Sequence, residues 1–158
     1  MAYIRVKKIS NKPYAYLVES QSTKRGPRQR VKQYLGRVHT VELQENVESV
    51  VSGKTKKEFS QGMVVRELKR AGFTEKGKKF SFESLHFCPQ ELTLRKKNKK
   101  EAILKLNEGY LCSFTVDRLH TFAKSKDVNK DGLLLAKYFL ESGLTVNEEE
   151  FVQYYQML

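Results

Sequence analysis

The first 39 residues combine ten Lys or Arg side chains and one acidic side chain, Glu19, with many Tyr, Val, Ile and Leu residues. A solvated basic tail would be poor in apolar residues, so this stretch is predicted to fold. Clusters of Gly, Pro, Asn and Ser separate three runs of β-branched and aromatic residues, at 3–9, 14–20 and 28–35. Gly36 is predicted to end the last run. The pattern is typical of a three-stranded antiparallel β-meander.

Alternate residues of a strand point to opposite sides of its sheet. Applied to the three runs, this rule predicts an apolar face that packs on the rest of the protein, made of Ile4, Val6, Ala15, Leu17, Val31 and Leu35. The other face is predicted to be basic and aromatic, with Arg5, Lys7, Tyr14, Tyr16, Arg28, Arg30, Lys32 and Tyr34. The alternative is an ordinary solvated sheet surface, which usually mixes Lys with Glu and Thr.

The positive charge is concentrated in the first half of the chain. The formal net charge is +12; residues 1–80 hold 19 basic and 7 acidic side chains, whereas residues 81–158 hold 11 of each. Such an excess favours polyanions, chiefly nucleic acid. Peripheral membrane binding usually needs a basic amphipathic helix, but the basic segment here is predicted to be strand. No run approaches the roughly 18 apolar residues of a membrane span, so we expect no membrane partner.

The rest of the chain is predicted to alternate between helix and strand. Helices are expected at 40–53, with Leu43, Val47, Val50 and Val51 on one face and Gly53 at the end, and at 60–71, with Val64, Val65 and Leu68 inward. A strand is expected at 80–87 and a hairpin at 91–95 and 102–106 around the lysines of 96–100. Three helices are expected at 115–124, 131–142 and 147–157, with Gly143 ending the second and capping boxes at Thr145 and Asn147. The predicted fold class is α+β.

The basic connector at residues 54–57 is the best candidate domain boundary. It divides the chain into a nucleic-acid-binding module at 1–53, made of the meander and a helix, and an α+β domain of unknown role at 58–158. The two cysteines, Cys88 and Cys112, are too few for a disulfide framework, so a reducing cytoplasm is the expected location.

Several short motifs resemble metal or catalytic sites, but each has a simpler structural interpretation. Residues 127–132 match the first half of a calcium-binding EF-hand loop, but the ninth and twelfth positions are Leu135 and Tyr138, which lack the required carboxylate. The pair His86 and Cys88, with distant Cys112 and His120, lacks the second close ligand pair of a zinc site. No metal or cofactor is therefore expected.

A metal-dependent nuclease stays open as an alternative, because Glu83 and Glu91 lie near a basic hairpin and Glu67-x-Lys69 is a fragment of a nuclease-like pattern. Neither feature has a convincing second carboxylate. The protein is therefore predicted not to be an enzyme.

Two segments of the meander resemble a known family. The runs Tyr16-Leu-Val-Glu-Ser20 and Arg28-Gln-Arg-Val-Lys-Gln-Tyr-Leu-Gly-Arg37 are similar to the N-terminal segment of DDE insertion-sequence transposases. There, a short β-meander precedes the catalytic domain and is presumed to contact DNA. The resemblance covers about the first forty residues and implies DNA contact. A DDE core needs more chain than follows residue 40, and no acidic triad is identifiable, so transposase activity is not implied.

The sequence thus predicts a non-catalytic nucleic-acid-binding protein, with DNA favoured. The expected contact residues are Arg5, Lys7, Tyr14, Tyr16, Lys24, Arg25, Arg28, Arg30, Lys32, Tyr34 and Arg37. A ribosome- or RNP-associated protein that binds structured RNA is the main alternative. A third alternative is an adaptor whose C-terminal helices bind a protein through Phe151, Tyr154, Tyr155 and Leu158, although these residues also fit the core face of the last helix.

Overall fold

The computed structural model describes residues 1–45 and 50–158. Its architecture is α+β, as predicted, with two β-sheets and four α-helices in those ranges. The strands are β1 (Ala2–Ile9), β2 (Lys12–Thr23), β3 (Gly26–Thr40), β4 (Thr74–Lys76), β5 (Lys79–Phe82), β6 (Leu85–Cys88), β7 (Thr93–Lys96), β8 (Ile103–Leu106) and β9 (Gly109–Leu111). The helices are α1 (Lys56–Arg70), α2 (Ser113–Thr121), α3 (Val128–Ser142) and α4 (Glu148–Gln156).

Strands β1, β2 and β3 form the predicted antiparallel meander. Ser10 and Asn11 form the turn between β1 and β2 with φ of 49° and 61°, because a two-residue hairpin turn favours positive φ. The prediction that Gly36 ends the third strand is wrong. Gly36 lies inside β3 with φ +131°, and a Cβ there would be 3.2 Å from the carbonyl oxygen of Glu101. The glycine permits this close approach between two segments.

The meander is part of a larger, five-stranded sheet with the order β1-β2-β3-β8-β9. Strand β3 pairs in parallel with β8, with Val38 opposite Ile103, and β9 is antiparallel to β8. The sheet therefore takes three strands from residues 1–53 and two from residues 58–158. The domain boundary predicted at residues 54–57 stays a prediction.

The second sheet has four antiparallel strands in the order β4-β5-β6-β7. The single strand predicted over residues 80–87 is a hairpin, in which Phe80 lies opposite Phe87. Glu83, with φ 49°, lies in the turn between β5 and β6. Both phenylalanines are buried, so the apolar residues at the two ends of the predicted strand meet on the inner face of the hairpin.

The hairpin predicted around residues 96–100 is present only next to its turn. Arg95 bridges to Glu101, and the N–H of Ala102 donates to the carbonyl of Leu94 at 2.9 Å. Beyond this point β7 pairs with β6, while β8 joins β3 in the other sheet. The pairing with β3 places Ile103 in an apolar cluster beneath the meander.

The helix predicted over residues 40–53 is not found in the described parts of that segment. Residues 41–45 and 50–53 have no regular secondary structure. Residues 46–49, and with them Val47 of the predicted apolar face, lie outside the described residues. The described parts therefore contradict the helix that the apolar spacing favoured.

Contacts with α1 account for the path of these segments. The N–H of Gln44 donates to the carbonyl of Arg70 at 2.8 Å, and Val51 is buried in the main core. A Cβ on Gly53 would lie 2.6 Å from the backbone nitrogen of Phe59. Gly53 therefore permits close packing on α1, and tertiary contacts override the local helical pattern.

Helix α1 begins four residues before its predicted start, because Thr55 provides the N-cap. The Thr55 hydroxyl accepts a hydrogen bond from the N–H of Glu58 at 3.2 Å. The predicted inward residues Val64 and Leu68 are fully buried, and Val65 is half-buried.

The three predicted C-terminal helices are confirmed as α2, α3 and α4. Gly143 ends α3 with φ +75°, and Asn147 and Glu150 form the predicted capping box of α4. The alternative box at Thr145 does not form, because that hydroxyl hydrogen-bonds to Glu67.

Two apolar clusters hold these elements together. The main core includes buried residues from α1, the four-stranded sheet, β8, β9 and the three C-terminal helices. A smaller cluster lies under the meander and consists of Ala15, Val38, Ile103 and Cys112, with Ile4, Val6, Leu35, Tyr110 and Phe114 packed against it. None of the helices in the described ranges is long and apolar enough to cross a lipid bilayer.

The apolar surface predicted on the last helix belongs to the main core. Tyr154 is fully buried, and its hydroxyl donates to the carbonyl of Leu119 at 2.9 Å. Phe151, Tyr155 and Leu158 are partly buried against the same core. These residues are thus the core face of α4, which is the simpler of the two interpretations that the sequence allowed.

Candidate nucleic-acid interface

Six of the predicted contact residues lie on one face of the meander. Residues directly opposite each other on neighbouring strands project to the same side of a sheet. Tyr16 lies opposite Arg5 and Tyr34, and Tyr14 lies opposite Lys7 and Arg37. We call this surface the tyrosine face; its members are Arg5, Lys7, Tyr14, Tyr16, Tyr34 and Arg37.

The three tyrosines form a cluster in contact with one of the cations. The Tyr34 ring centroid lies 5.3 Å from that of Tyr16 and 6.3 Å from that of Tyr14, and the Lys7 ammonium lies 5.6 Å from the Tyr16 centroid. Tyr34 is 54% exposed. Partial burial, followed by the neighbouring phenols, raises the pKa of Tyr34, so its hydroxyl stays neutral at physiological pH. The cluster presents an uncharged aromatic surface beside positive charge.

The tyrosine face also contains a polar chain that the sequence analysis missed. Arg5 donates to the side-chain oxygen of Gln29, whose amide in turn donates to the hydroxyl of Tyr3. These bonds span β1 and β3 and hold the Arg5 guanidinium in place. Strict alternation places Gln29 among the inward residues of β3, so the sequence signal pointed to the wrong face.

Two irregularities in β3 are the cause of that error. The pairing with β2 shifts between Ala15 and Tyr16 and again between Leu17 and Val18. At each shift β3 has one extra residue, Leu35 at the first and Lys32 at the second. Such β-bulges interrupt the alternation, so the residues beyond them change sides.

As a consequence, Arg28 and Arg30 lie on the opposite face from the three tyrosines, and their predicted place on the tyrosine face is wrong. Arg28 lies opposite Gln21, and Arg30 lies opposite Glu19. Lys32 is on the same side, where its ammonium is 3.0 Å from the Glu19 carboxylate. The hydrogen bond from Lys32 lowers the pKa of Glu19, so this carboxylate is ionised and paired.

The bulges also change the predicted apolar face. Val31 pairs with Val18 and is 48% exposed, so its predicted inward position is wrong. Leu35 does pack on the apolar cluster, together with Ile4 and Val6, as predicted.

The outer part of the β2–β3 hairpin projects beyond β1. The last pair between β1 and β2 is Ala2 with Glu19, so residues 20–29 form a two-stranded segment, which we call the basic ribbon. Lys24 and Arg25 form its exposed tip. Gly26, with φ +99°, closes the turn, and the hydroxyl of Thr23 donates to its carbonyl at 2.6 Å.

The histidines and cysteines of the possible zinc site have separate partners. His86 Nδ1 lies 2.8 Å from Ser81 Oγ, and the Cys88 thiol donates to Gln90 at 3.3 Å. Cys112 is buried, and burial raises the pKa of its thiol. Among residues 1–45 and 50–158, no group of three or more His, Cys, Asp or Glu side chains is arranged to hold a metal ion.

The EF-hand-like segment is the beginning of α3. Asp127 is the N-cap and accepts from the N–H of Lys130 at 3.1 Å. Asp131 is buried in the first turn and accepts from the N–H and hydroxyl of Ser125, both at 2.7 Å. The Asp127 carboxylate thus caps α3 and the Asp131 carboxylate holds the preceding segment at Ser125, which agrees with the simpler structural interpretation.

The carboxylates considered for a nuclease are dispersed. Glu67 is fully buried in α1 and bonded to Arg70 at 2.7 Å and to Thr145. Glu83 lies in the β5–β6 turn, while Glu91 is near Arg95 at 3.7 Å. Their roles in this structure are ion pairing and turn formation.

Comparison with known proteins gives no match: no protein-family model, curated protein or solved structure is significantly similar to the chain. The resemblance to the transposase segment stays a prediction from the sequence.

Proposed function

We propose that this protein binds nucleic acid without cleaving it, with DNA as the favoured ligand, and that the meander is the binding surface. The observation that carries the proposal is the tyrosine face, where a half-exposed aromatic cluster is flanked by Arg5, Lys7 and Arg37. The single acid of the first forty residues, Glu19, is on the opposite face and is paired with Lys32.

The chemistry of this surface suits a nucleic acid better than other polyanions. Lys and Arg side chains neutralise phosphates and release condensed counterions, which gives affinity and a strong salt dependence. Tyrosine rings stack on bases or pack against sugars. Sulfated sugars and acidic proteins offer the negative charge but not the regularly spaced aromatic bases.

The basic ribbon favours DNA over structured RNA. The major groove of B-form DNA, about 12 Å wide, admits a two-stranded β-ribbon. The major groove of an A-form RNA helix is too deep and narrow for side chains to read. The ribbon carries Lys24 and Arg25 at its tip and Arg28 beside it, where they can reach phosphates along the groove. The transposase resemblance points in the same direction.

The proposal is tested by charge reversal on the tyrosine face. The double variant Arg5→Glu/Lys7→Glu removes two cations beside the tyrosines, and we expect it to weaken duplex DNA binding at least about tenfold and to lower the salt slope by about 2. Fluorescence anisotropy of a labelled duplex, measured at several salt concentrations, gives both quantities. The variant Lys126→Glu/Lys130→Glu makes the same charge change at exposed positions near α3 and should bind like the wild type. Unchanged affinity of the Arg5/Lys7 variant would contradict the proposal.

The alternatives have different outcomes in the same assay. Displacement of the DNA by structured RNA at fixed salt would favour the RNP-associated alternative. Magnesium-stimulated cleavage of the labelled duplex would contradict the non-catalytic role. The variant Arg28→Glu/Arg30→Glu tests the opposite face, and weaker duplex binding there would indicate that the ribbon is contacted from both sides.

A further inference from the structure

The outer face of the four-stranded sheet contains a second strongly basic surface. A groove of about 310 Å³ runs across this face. Its basic lining residues, which we call the lysine groove, are Lys79, Arg95, Lys96, Lys97 and Lys99. His86, Cys88 and Thr93 complete the lining, together with a single acid, Glu91.

Strand pairing explains why this face is polar. Leu94 lies opposite Phe87 and both are buried, so these alternate positions face the main core. Arg95 lies opposite His86, which in turn lies opposite Ser81, so this row is on the other side of the sheet from Leu94 and Phe87.

The lysines at the end of the groove belong to an ordered turn. The N–H of Lys96 donates to the carbonyl of Lys100 at 2.9 Å, and Lys99 has φ +64°. The Arg95 guanidinium donates to the carbonyl of Lys99 at 3.3 Å. These bonds hold several cations close together, an arrangement that is electrostatically unfavourable without an anionic ligand.

The segment that forms the lysine groove has a much higher net positive charge than the zero net charge of residues 81–158 indicates. Residues 76–100 contain eight basic side chains and two acidic ones, Glu83 and Glu91. Glu91 accepts from Thr93 at 3.2 Å and lies 3.7 Å from Arg95, so it neutralises only one of the cations.

The turn that ends the lysine groove lies close to β3 of the meander. Glu101, which follows the turn, contacts β3 at Gly36, and Ile103 pairs with Val38. His39 lies on β3 two residues after Arg37, and burial followed by the charges of Lys96 and Arg37 lowers its pKa, which the charge of Glu83 partly offsets. One cation of the groove and one of the tyrosine face therefore contribute to the electrostatic potential at the same imidazole.

Two buried nitrogen atoms in the described part of the chain lack a hydrogen-bond partner. They are Nε2 of His39 and Nε of Arg95. The first is on β3 and the second lines the groove. Unsatisfied buried polar atoms are rare in folded proteins.

We infer that the lysine groove is a second phosphate-binding site and that it binds the backbone of the same nucleic acid that the tyrosine face contacts. The inference rests on the proposed function, because it takes the meander as the first point of contact. A nucleic acid that spans both surfaces loses counterions at both, so affinity should rise with probe length beyond the footprint of the meander.

The test compares charge reversals on the two surfaces with probes of two lengths. Duplexes of about 12 base pairs, roughly one helical turn, and of about 30 base pairs are titrated by fluorescence anisotropy at about 50 and 200 mM salt. We expect Lys97→Glu/Lys99→Glu to weaken binding of the long duplex at least about tenfold, to lower its salt slope by about 2 and to change binding of the short duplex less than about threefold. Lys126→Glu/Lys130→Glu is the matched control, and circular dichroism checks that each variant is folded.

The outcomes separate this inference from the proposed function. If the long duplex binds the Lys97/Lys99 variant as it binds the wild type, while Arg5→Glu/Lys7→Glu loses affinity, the inference is overturned and the proposed function stands. If the Arg5/Lys7 variant binds normally and the Lys97/Lys99 variant does not, the proposed function fails and the groove is a phosphate-binding site by itself. Binding of phosphatidylserine vesicles without binding of either duplex overturns both.

Discussion

A single hydrogen bond between α1 and α2 shows how burial can remove the reactivity of a catalytic-looking pair. Ser60 Oγ lies 2.5 Å from His120 Nε2. Ser60 is fully buried, and its hydroxyl also lies within hydrogen-bonding distance of the carbonyls of Lys56 and Lys57, at 2.9 and 3.1 Å. A nucleophile must reach its substrate, so this serine is structural, and its contact with the imidazole connects two helices.

The burial of two histidines makes stability dependent on pH. Burial, followed by the charges of Lys56 and Lys57, lowers the pKa of His120 below its usual value, and burial also lowers that of His39. The unfolded chain therefore takes up protons at a higher pH than the folded one. The contribution of both groups to stability is fully present above the unfolded pKa of about 6.5, and it is lost as the pH falls from there towards the folded values.

We therefore expect the free energy of unfolding to decrease as the pH is lowered from about 7.5 to about 5.5, a range that includes the ordinary histidine pKa. The variant His120→Gln should show a smaller decrease over this range. Urea denaturation followed by circular dichroism measures the free energy at each pH. Equal pH dependence in the variant and the wild type would show that His120 does not contribute. Measurements above pH 8, where the imidazoles are neutral, give the pH-independent cost of the substitution.

At the scale of elements, a buried carboxylate connects α1 to the loop before α4. Glu67 is fully buried and accepts from the hydroxyl of Thr145 and from the guanidinium of Arg70 at 2.7 Å. Arg66 bonds to Glu150 at the N-terminus of α4 and to the carbonyl of Thr145 at 2.6 Å. Together these bonds fix the position of α4 on α1.

Removal of the Glu67 carboxylate should destabilise the fold. We expect Glu67→Ala to lower the free energy of unfolding by about 3 kcal/mol, because it leaves the partly buried Arg70 guanidinium without its carboxylate partner. Chemical denaturation measures the change. Glu75→Gln, at an exposed position of β4, is the control and should stay within about 0.5 kcal/mol of the wild type. If Glu67→Ala also changes the free energy of unfolding by less than about 0.5 kcal/mol, the ion-pair network does not stabilise the fold.

The basic ribbon is the element most easily removed without harm to the core. Replacement of residues 21–28 by Asn-Gly joins Ser20 to Gln29 through a tight turn and deletes Lys24, Arg25 and Arg28. Since the ribbon is exposed, we expect thermal stability to be retained, while the salt slope of duplex binding falls by about 2 to 3. A shortened protein that binds DNA with the wild-type slope would show that the ribbon makes no phosphate contacts.

Local patterns in the sequence predicted most of the elements but not their pairing. The meander, the helix around Val64 and Leu68 and the C-terminal helices follow from residue periodicity and capping residues. The bulges at Leu35 and Lys32 do not, because they depend on how β3 fits between β2 and β8. Each bulge changes the side on which the residues beyond it project. The predicted face was therefore right for Tyr34 and wrong for Arg28 and Arg30, which lie beyond the bulge at Lys32.

At the scale of the whole molecule, the distribution of charge is clearer in the fold than in the halves of the sequence. The second half has no net charge, but residues 81–100 within it hold five basic and two acidic side chains, whereas residues 101–158 hold six basic and nine acidic side chains. Charges counted over shorter stretches of the sequence would have detected this local excess of basic residues. That the turn of Lys96–Lys100 lies beside β3 could not be predicted, because it depends on the parallel pairing of β3 with β8.

That parallel pairing has a consequence for synthesis on the ribosome. Val38 pairs with Ile103, which is translated 65 residues later. Until then the backbone of β3 at Val38, His39 and Thr40 has no partner strand on this side, and such open edges recruit other extended chains. The many cations of the nascent meander repel one another between chains, so the charges of the proposed binding surface also protect the half-made protein from aggregation.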